Sequence, residues 1–142
     1  MPTHQEREEL VAAAGRGVKV RLILPGKSDS RDSLAAGRAA CDDLLASGAE
    51  IAETRDDVPH AKIMVVDGAW PAVSSSNFDR RSVVFSKEIH AIILGGDTGR
   101  AMTELLERNR APAVKLDLAT WRQRPLSDRP HEWLTRFWQF LL

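Results

Sequence analysis

A chain of 142 residues and 15.7 kDa is long enough for one domain with a packed core and too short for several. Its 43% hydrophobic and 28% charged residues exclude a disordered, collagen-like or coiled-coil chain. The 20 basic and 20 acidic side chains cancel, so net charge names no partner, although a balanced total can hide a local basic patch. A single cysteine, Cys41, excludes an internal disulfide and a cysteine-rich zinc site, and makes a reducing, cytoplasmic compartment the expectation. No run approaches the roughly 20 apolar residues of a spanning helix, and residues 1–9 are polar where a signal peptide would be apolar, so the chain is expected neither to be secreted nor to span a membrane.

Residues 5–15 read as a helix stopped by Gly15 and Gly17. Val18, Val20, Leu22 and Leu24 then alternate with Lys19, Arg21 and Ile23, predicting a strand broken by Pro25 and Gly26. From Asp32 to Ser47, Leu34, Cys41, Leu44 and Leu45 recur at helical spacing, with Ser30 or Asp29 as cap, Gly48 as stop and Cys41 as a small core hydrophobe. A short strand is expected over 49–53, and a polar connection over 55–59 leads into the apolar run 61–66. Asp67-Gly68 is a hairpin turn into a returning strand, 70–73, which Pro71 assigns to an edge or a bulge. A polar loop spans 74–82, residues 88–94 are strand-like, and 97–108 form a helix with Met102, Leu105 and Leu106 inward. The alternation predicts an α/β domain, a mixed β-sheet flanked by helices.

Composition shifts near Asn109, because residues 110–142 carry six basic and three acidic side chains. The expected division is therefore a catalytic domain over 1–109 and an amphipathic tail over 110–142. In that tail Ser127 or Asp128 can cap a helix with Pro130 in its first turn, whose face would carry Trp133, Phe137, Phe140 and Leu141. So apolar a stripe is either buried against the domain or inserted at an anionic membrane surface through residues 128–142, with Arg122, Arg124 and Arg129 beside the headgroups.

His60 and Lys62 lie two apart at the start of a strand, so both side chains face the same side of the sheet. If 61–66 and 70–73 form a hairpin, the loop after the second strand returns Ser74, Ser75 and Asn77 to the end where His60 and Lys62 begin. An imidazole, an ammonium, hydroxyls and an amide then converge. That mixture suits a phosphodiester, since lysine neutralises phosphoryl oxygens while serine and asparagine donate neutral hydrogen bonds in fixed directions. Asp67 closes the strand at its turn. His90 reads as a satisfied sheet or loop histidine. Pro25-Gly26-Lys27-Ser28 is not a P-loop, because Arg21 stands where its first glycine would fall.

The pattern H-x-K-x₄-D-x₆-S-S-x-N resembles the signature of the phospholipase D superfamily. Lys, Asp, Ser and Asn at set distances from one of four histidines would arise by chance on the order of 10⁻⁵. LPGKSD, HAKIMVVDG, SSNFDRRS and WRQRPL are most similar to the C-terminal half of bacterial cardiolipin synthases, one half of a bilobal fold. The resemblance implies a phosphatidyltransferase half-domain acting through a phosphohistidine on a phosphatidylglycerol-like phospholipid, without metal or cofactor. It implies His60 as nucleophile, Lys62, Ser75 and Asn77 as phosphoryl ligands, and Glu88 as acceptor for the other imidazole nitrogen. Asp67, Asp79 and Arg81 would be structural. Ser74 replaces the family's glycine, and Ser86 an asparagine common before the glutamate. The superfamily site needs two such motifs and this chain has one, so the second would come from homodimerisation or from a missing N-terminal half. The alternatives are a homodimeric phosphodiesterase or nuclease of the same superfamily, and a noncatalytic remnant that binds phospholipid or a partner. The expected location is cytoplasmic, peripheral on the inner membrane if the tail meets lipid.

Overall fold

The structure, a computed structural model, describes residues 4–27, 31–55, 61–75 and 87–124, with the backbone alone at 4, 31–37 and 39. The elements are α1 (His4–Gly15), β1 (Arg21–Pro25), α2 (Arg31–Ala46), β2 (Glu50–Thr54), β3 (Lys62–Val66), β4 (Trp70–Ser74), β5 (His90–Ile92), α3 (Gly96–Arg110), β6 (Val114–Lys115) and α4 (Leu118–Arg122). Mixed α/β architecture with sheets flanked by helices is thus the observed fold class. Among the described residues the strands form two three-stranded sheets, β1-β2-β6 and β3-β4-β5.

In the first sheet β1 runs parallel to β2, Arg21 opposite Glu50 through Pro25 opposite Thr54, with α2 as the connection that parallel strands require. Gly17 and Gly48, both with positive φ, end α1 and α2 as the glycine spacing predicts. At each end two backbone bonds close the last turn: Val18 N–H to Ala13 and Gly17 N–H to Ala14, then Ala49 N–H to Leu44 and Gly48 N–H to Leu45. Cys41, Leu44 and Ile51 are buried at the centre of the core, with Ala40, Ala49 and Trp121 around them. Leu10, Val11 and Ala14 of α1 pack on this cluster, and Arg7 reaches Asp43 of α2 at 3.6 Å.

Helix α3 runs to Arg110. Beyond it β6 pairs antiparallel with β2, and α4 places Trp121 in the same core as Cys41. Asp117 caps α4 by accepting from Thr120 N–H at 3.0 Å, which is the main reason its carboxyl titrates below the usual range. Arg122 grips Asp42 of α2 with two bonds of 3.0 and 3.1 Å, and Arg124 lies over the Trp121 ring. The expected tail helix lies outside the described residues. No described helix is long and apolar enough to cross a membrane.

The second sheet is antiparallel, and its hairpin is the one expected at Asp67-Gly68. Three residues, 67–69, separate the paired Val66 and Trp70; Asp67 and Gly68 both have positive φ, 52° and 64°, and Ala69 N–H bonds Val66 O at 3.1 Å. Pro71 is neither at an edge nor at a bulge: β4 is the middle strand, between β3 and β5. The lost donor is tolerated because Pro71 stands opposite Ile93, one residue past the end of β5. Its carbonyl still accepts from Ile93 N–H at 3.1 Å. Strand β5 is shorter than the apolar run 88–94 suggests, three residues, with Ile89, Ile93 and Leu94 exposed around it.

Helix α3 joins the two sheets, packing against β2, β3 and β4. Its approach to the hairpin is close: a Cβ on Gly99 would stand 2.0 Å from Gly68 O and 3.0 Å from Ala69 Cα, both backbone atoms. At its other end Arg110 and Glu107 join Arg21 and Glu50, through Arg110–Glu50, Arg21–Glu107 and Arg110–Glu107 pairs, the last at 3.6 Å. Partial burial is the largest single influence on the Glu50 carboxyl and would raise its pKa. The attraction of Arg110, Lys19 and Lys115, with the hydrogen bond from Arg110, outweighs burial and holds it below its ordinary 4.5.

Gly99→Ala should therefore cost about 1–3 kcal/mol, read as a lower thermal midpoint, because the hairpin turn or the helix must shift. Gly96→Ala on the same helix, where a Cβ meets nothing within 4 Å, should not. Because the folded Glu50 carboxyl is depressed, its contribution is complete above the unfolded value and is lost as pH falls through the folded one. Stability measured across a pH series should fall below about 4.5, and Glu50→Gln should flatten that acid limb.

Candidate active site

The hairpin brings polar groups to its open end. Lys62, first in β3, stands opposite Ser74, last in β4, and Ser74 stands opposite His90, first in β5. Residues paired directly across a ladder point to one face. Lys62, Ser74 and His90 therefore form a row across three strands, with Lys62 and Ser74 half-buried and His90 exposed.

One residue past β4 the chain bends at Ser75. Its N–H donates to Ile89 O at 3.1 Å, and its Oγ accepts from Ile89 N–H at 3.0 Å. The Ser75 hydroxyl in turn donates to Glu88 Oε2. A hydroxyl has one proton to give, so in this arrangement the Ser75 proton is committed to the carboxylate. The Ser75–Glu88 contact was not expected from sequence, which pairs Glu88 with an imidazole and Ser75 with a phosphoryl oxygen. The two bonds between Ser75 and Ile89, one backbone to backbone and one from Ile89 N–H to the Ser75 hydroxyl, bring the Ser75 and Glu88 side chains together.

Of the residues singled out from sequence, Lys62, Ser75 and Glu88 are thus gathered at one end of the second sheet. Asp67 sits at the other end, in the hairpin turn, roughly 15 Å along β3 from Lys62. His60, Asn77, Asp79, Arg81 and Ser86 lie outside the described residues. Ser74, in the place of the family's glycine, is accommodated as an ordinary strand residue whose side chain joins the row. Among the described residues no three His, Cys, Asp or Glu side chains gather as metal ligands.

The face that bears the row continues away from it as apolar sheet. Met64 pairs with Ala72 and Ala72 with Ile92, while Val66 pairs with Trp70. Met64, Val66, Trp70 and Ile92 are 46, 45, 52 and 55% exposed. The opposite face carries Ile63, Val65 and Val73, all partly covered, and the buried Pro71. Apolar residues left at this exposure on one continuous sheet face are typical of a surface that meets another surface.

The fold is similar to that of Nuc, a phospholipase D family member from Salmonella typhimurium. The TM-score is 0.69 at 20% identity, covering 82% of this chain and 76% of Nuc. In sequence the chain is 29% identical over its whole length to "Probable cardiolipin synthase YwiE" of Bacillus subtilis, and 35% identical to "Cardiolipin synthase A" of Citrobacter koseri. It spans only 28 and 29% of the length of those two relatives. The family model described as "Cardiolipin synthase, PLD-like domain" matches residues 1–109, and the chain belongs to that family.

Proposed function

We propose that this chain supplies one half of a phosphatidyltransferase site of cardiolipin synthase type, corresponding to the C-terminal half of such an enzyme. The observation that carries the reading is the assembly of Lys62, Ser74, Ser75 and Glu88 at one end of a sheet, directly after His60 in the chain. Neutral His60 attacks phosphorus, forming an N–P bond as the P–O bond to the leaving alcohol breaks. The leaving oxygen takes a proton from the second half-site's imidazole. An acceptor alcohol then returns its proton to that imidazole as its oxygen displaces His60. The Lys62 ammonium stabilises the charge that develops on the phosphoryl oxygens, and Asn77 directs a further hydrogen bond to them. Glu88, held by Ser75, has its second carboxylate oxygen to receive the imidazole N–H that fixes the His60 tautomer. Ser75 reaches a phosphoryl oxygen only by giving up its bond to Glu88.

Two features support a second half. The chain carries one H-x-K-x₄-D motif, and the apolar face of Met64, Val66, Trp70 and Ile92 begins where the row of Lys62, Ser74 and His90 ends. A second copy, or the first half of a longer protein, docked on that face would bring its own motif to the same end. Residues 128–142 form the contact with anionic phospholipid in this reading.

Incubating the chain with a labelled phosphodiester should trap acid-labile, base-stable phosphate on His60, with labelling that rises steeply with chain concentration, as a dimer requires. His60→Ala should abolish it, and Lys62→Ala should lower the rate by at least about 100-fold, the scale of losing one preorganised donor, about 3 kcal/mol. Turnover unchanged in His60→Ala, or an active monomer by light scattering, would contradict the mechanism. Transfer to water alone would favour a phosphodiesterase over a transferase.

The lipid contact has its own test in sedimentation with vesicles containing anionic phospholipid. A chain ending at residue 127 should keep its thermal midpoint and lose vesicle binding. If it aggregates instead, the tail is packed on the domain and the membrane contact is wrong.

A further inference from the structure

Sequence alone makes His90 a satisfied sheet or loop histidine. The register of the second sheet gives it a different setting, because His90 is the third member of the row that begins at Lys62. We propose that His90 is a specificity-determining residue of this site, which hydrogen-bonds a hydroxyl on the alcohol arm of a phosphodiester whose phosphoryl oxygens lie at Lys62. This inference rests on the phosphodiester reading above and adds to it the residue that reads the headgroup.

The geometry is that of three neighbouring strands. Adjacent strands are about 4.8 Å apart, so the row runs roughly 10 Å from the Cα of Lys62 to that of His90, with Ser74 midway. A phosphoryl group near Lys62 and Ser74 has its alcohol arm free to extend along the row over β5. There it meets an exposed imidazole. Of the nearby groups, Glu88 is engaged by Ser75, and Lys62 is the cation for the phosphoryl oxygens. His90 is the remaining group of the row suited to a hydroxyl.

Imidazole chemistry decides what that arm can be. A neutral ring offers one donor and one acceptor, and so can satisfy a hydroxyl in either sense. A protonated ring offers two donors and a positive charge. In neither state does it bond a quaternary ammonium, which has no hydrogen to give and no lone pair, and in the protonated state it repels one. His90 therefore favours a polyol headgroup of the glycerol kind over one of the choline kind. A site that hydrogen-bonds a substrate hydroxyl discriminates more sharply than one that only fits its shape.

The test is a titration of the whole chain, followed by NMR, with two water-soluble methyl phosphodiesters, glycerol methyl phosphate and choline methyl phosphate. The glycerol diester should move the His90 ring resonances together with the Lys62 and Ser74 amides. The choline diester, which has no hydroxyl on either arm, should move the amides alone. His90→Ala should weaken the glycerol diester by about tenfold and leave the choline diester unchanged, the loss expected for one hydrogen bond of about 1.4 kcal/mol. His90→Gln, which keeps a donor and an acceptor, should recover part of that loss, and unchanged thermal midpoints would show that both variants fold. If both probes shift the Lys62 and Ser74 amides without moving the ring, and His90→Ala binds both as before, the role of His90 is overturned while the phosphodiester site stands. If neither probe moves those amides, the phosphodiester reading has failed, and the role of His90 fails with it.

Discussion

The register of the β3–β4 hairpin is the constraint on which the rest of the site depends. Side chains alternate faces with a period of two, so a slip of one residue would send Lys62 to the opposite face and separate it from Ser74 and His90. Two features hold that register. The Asp67-Gly68 turn, with positive φ at both positions, sets which residues of the two strands meet. Gly99 then lets helix α3 lie directly on the turn, where any side chain at that position would strike the Gly68 carbonyl. Asp67 is thus remote from the polar cluster and still bears on it, through the geometry of the strand it terminates.

Helix α3 carries this local constraint into the whole domain. Its first turns rest on the hairpin, and its last turn enters the charged group of Arg21, Glu50, Glu107 and Arg110 at the edge of the first sheet. The first sheet is anchored by burial, with Cys41, Leu44, Ile51 and Trp121 closed from solvent between α2, β2 and α4. Among the described residues the second sheet has no comparable buried cluster, and the face of Met64, Val66, Trp70 and Ile92 is about half exposed. The buried core therefore lies on one side of α3 and the polar row on the other. That division suits a site built to be completed by a second surface, because a fully covered sheet would have no face to offer.

Within the polar cluster, backbone pairing and side-chain chemistry reinforce each other. The two-way exchange between Ser75 and Ile89 extends the β4–β5 ladder beyond its last regular pair, and so carries Glu88 to the Ser75 hydroxyl. The Ser75 hydroxyl thereby fixes the direction of the Glu88 carboxylate. Ser74 illustrates the same economy. As a strand residue it requires no special backbone angle, and its hydroxyl joins the row that a glycine would leave bare.

Periodicity and punctuation carried much of the fold. The glycines at 17 and 48 stop two helices, the helical spacing of Leu34, Cys41, Leu44 and Leu45 matches α2, and Asp67-Gly68 makes the hairpin, because these signals act over a few neighbouring residues. The spacing of His60, Lys62, Asp67, Ser75 and Asn77 likewise sufficed to indicate the family. What sequence could not decide depends on contacts between distant segments. Pro71 suggests an edge strand until β5 is seen to end just short of it. Residues 110–122 differ in composition from the rest, yet β6 and Trp121 belong to the first sheet and its core. Glu88 meets Ser75, and His90 joins Lys62, only through the pairing of β4 with β5, whose register no local pattern encodes. Local chain stiffness and turn chemistry are written residue by residue, whereas which strand lies beside which is settled by the burial and hydrogen bonding of the chain as a whole.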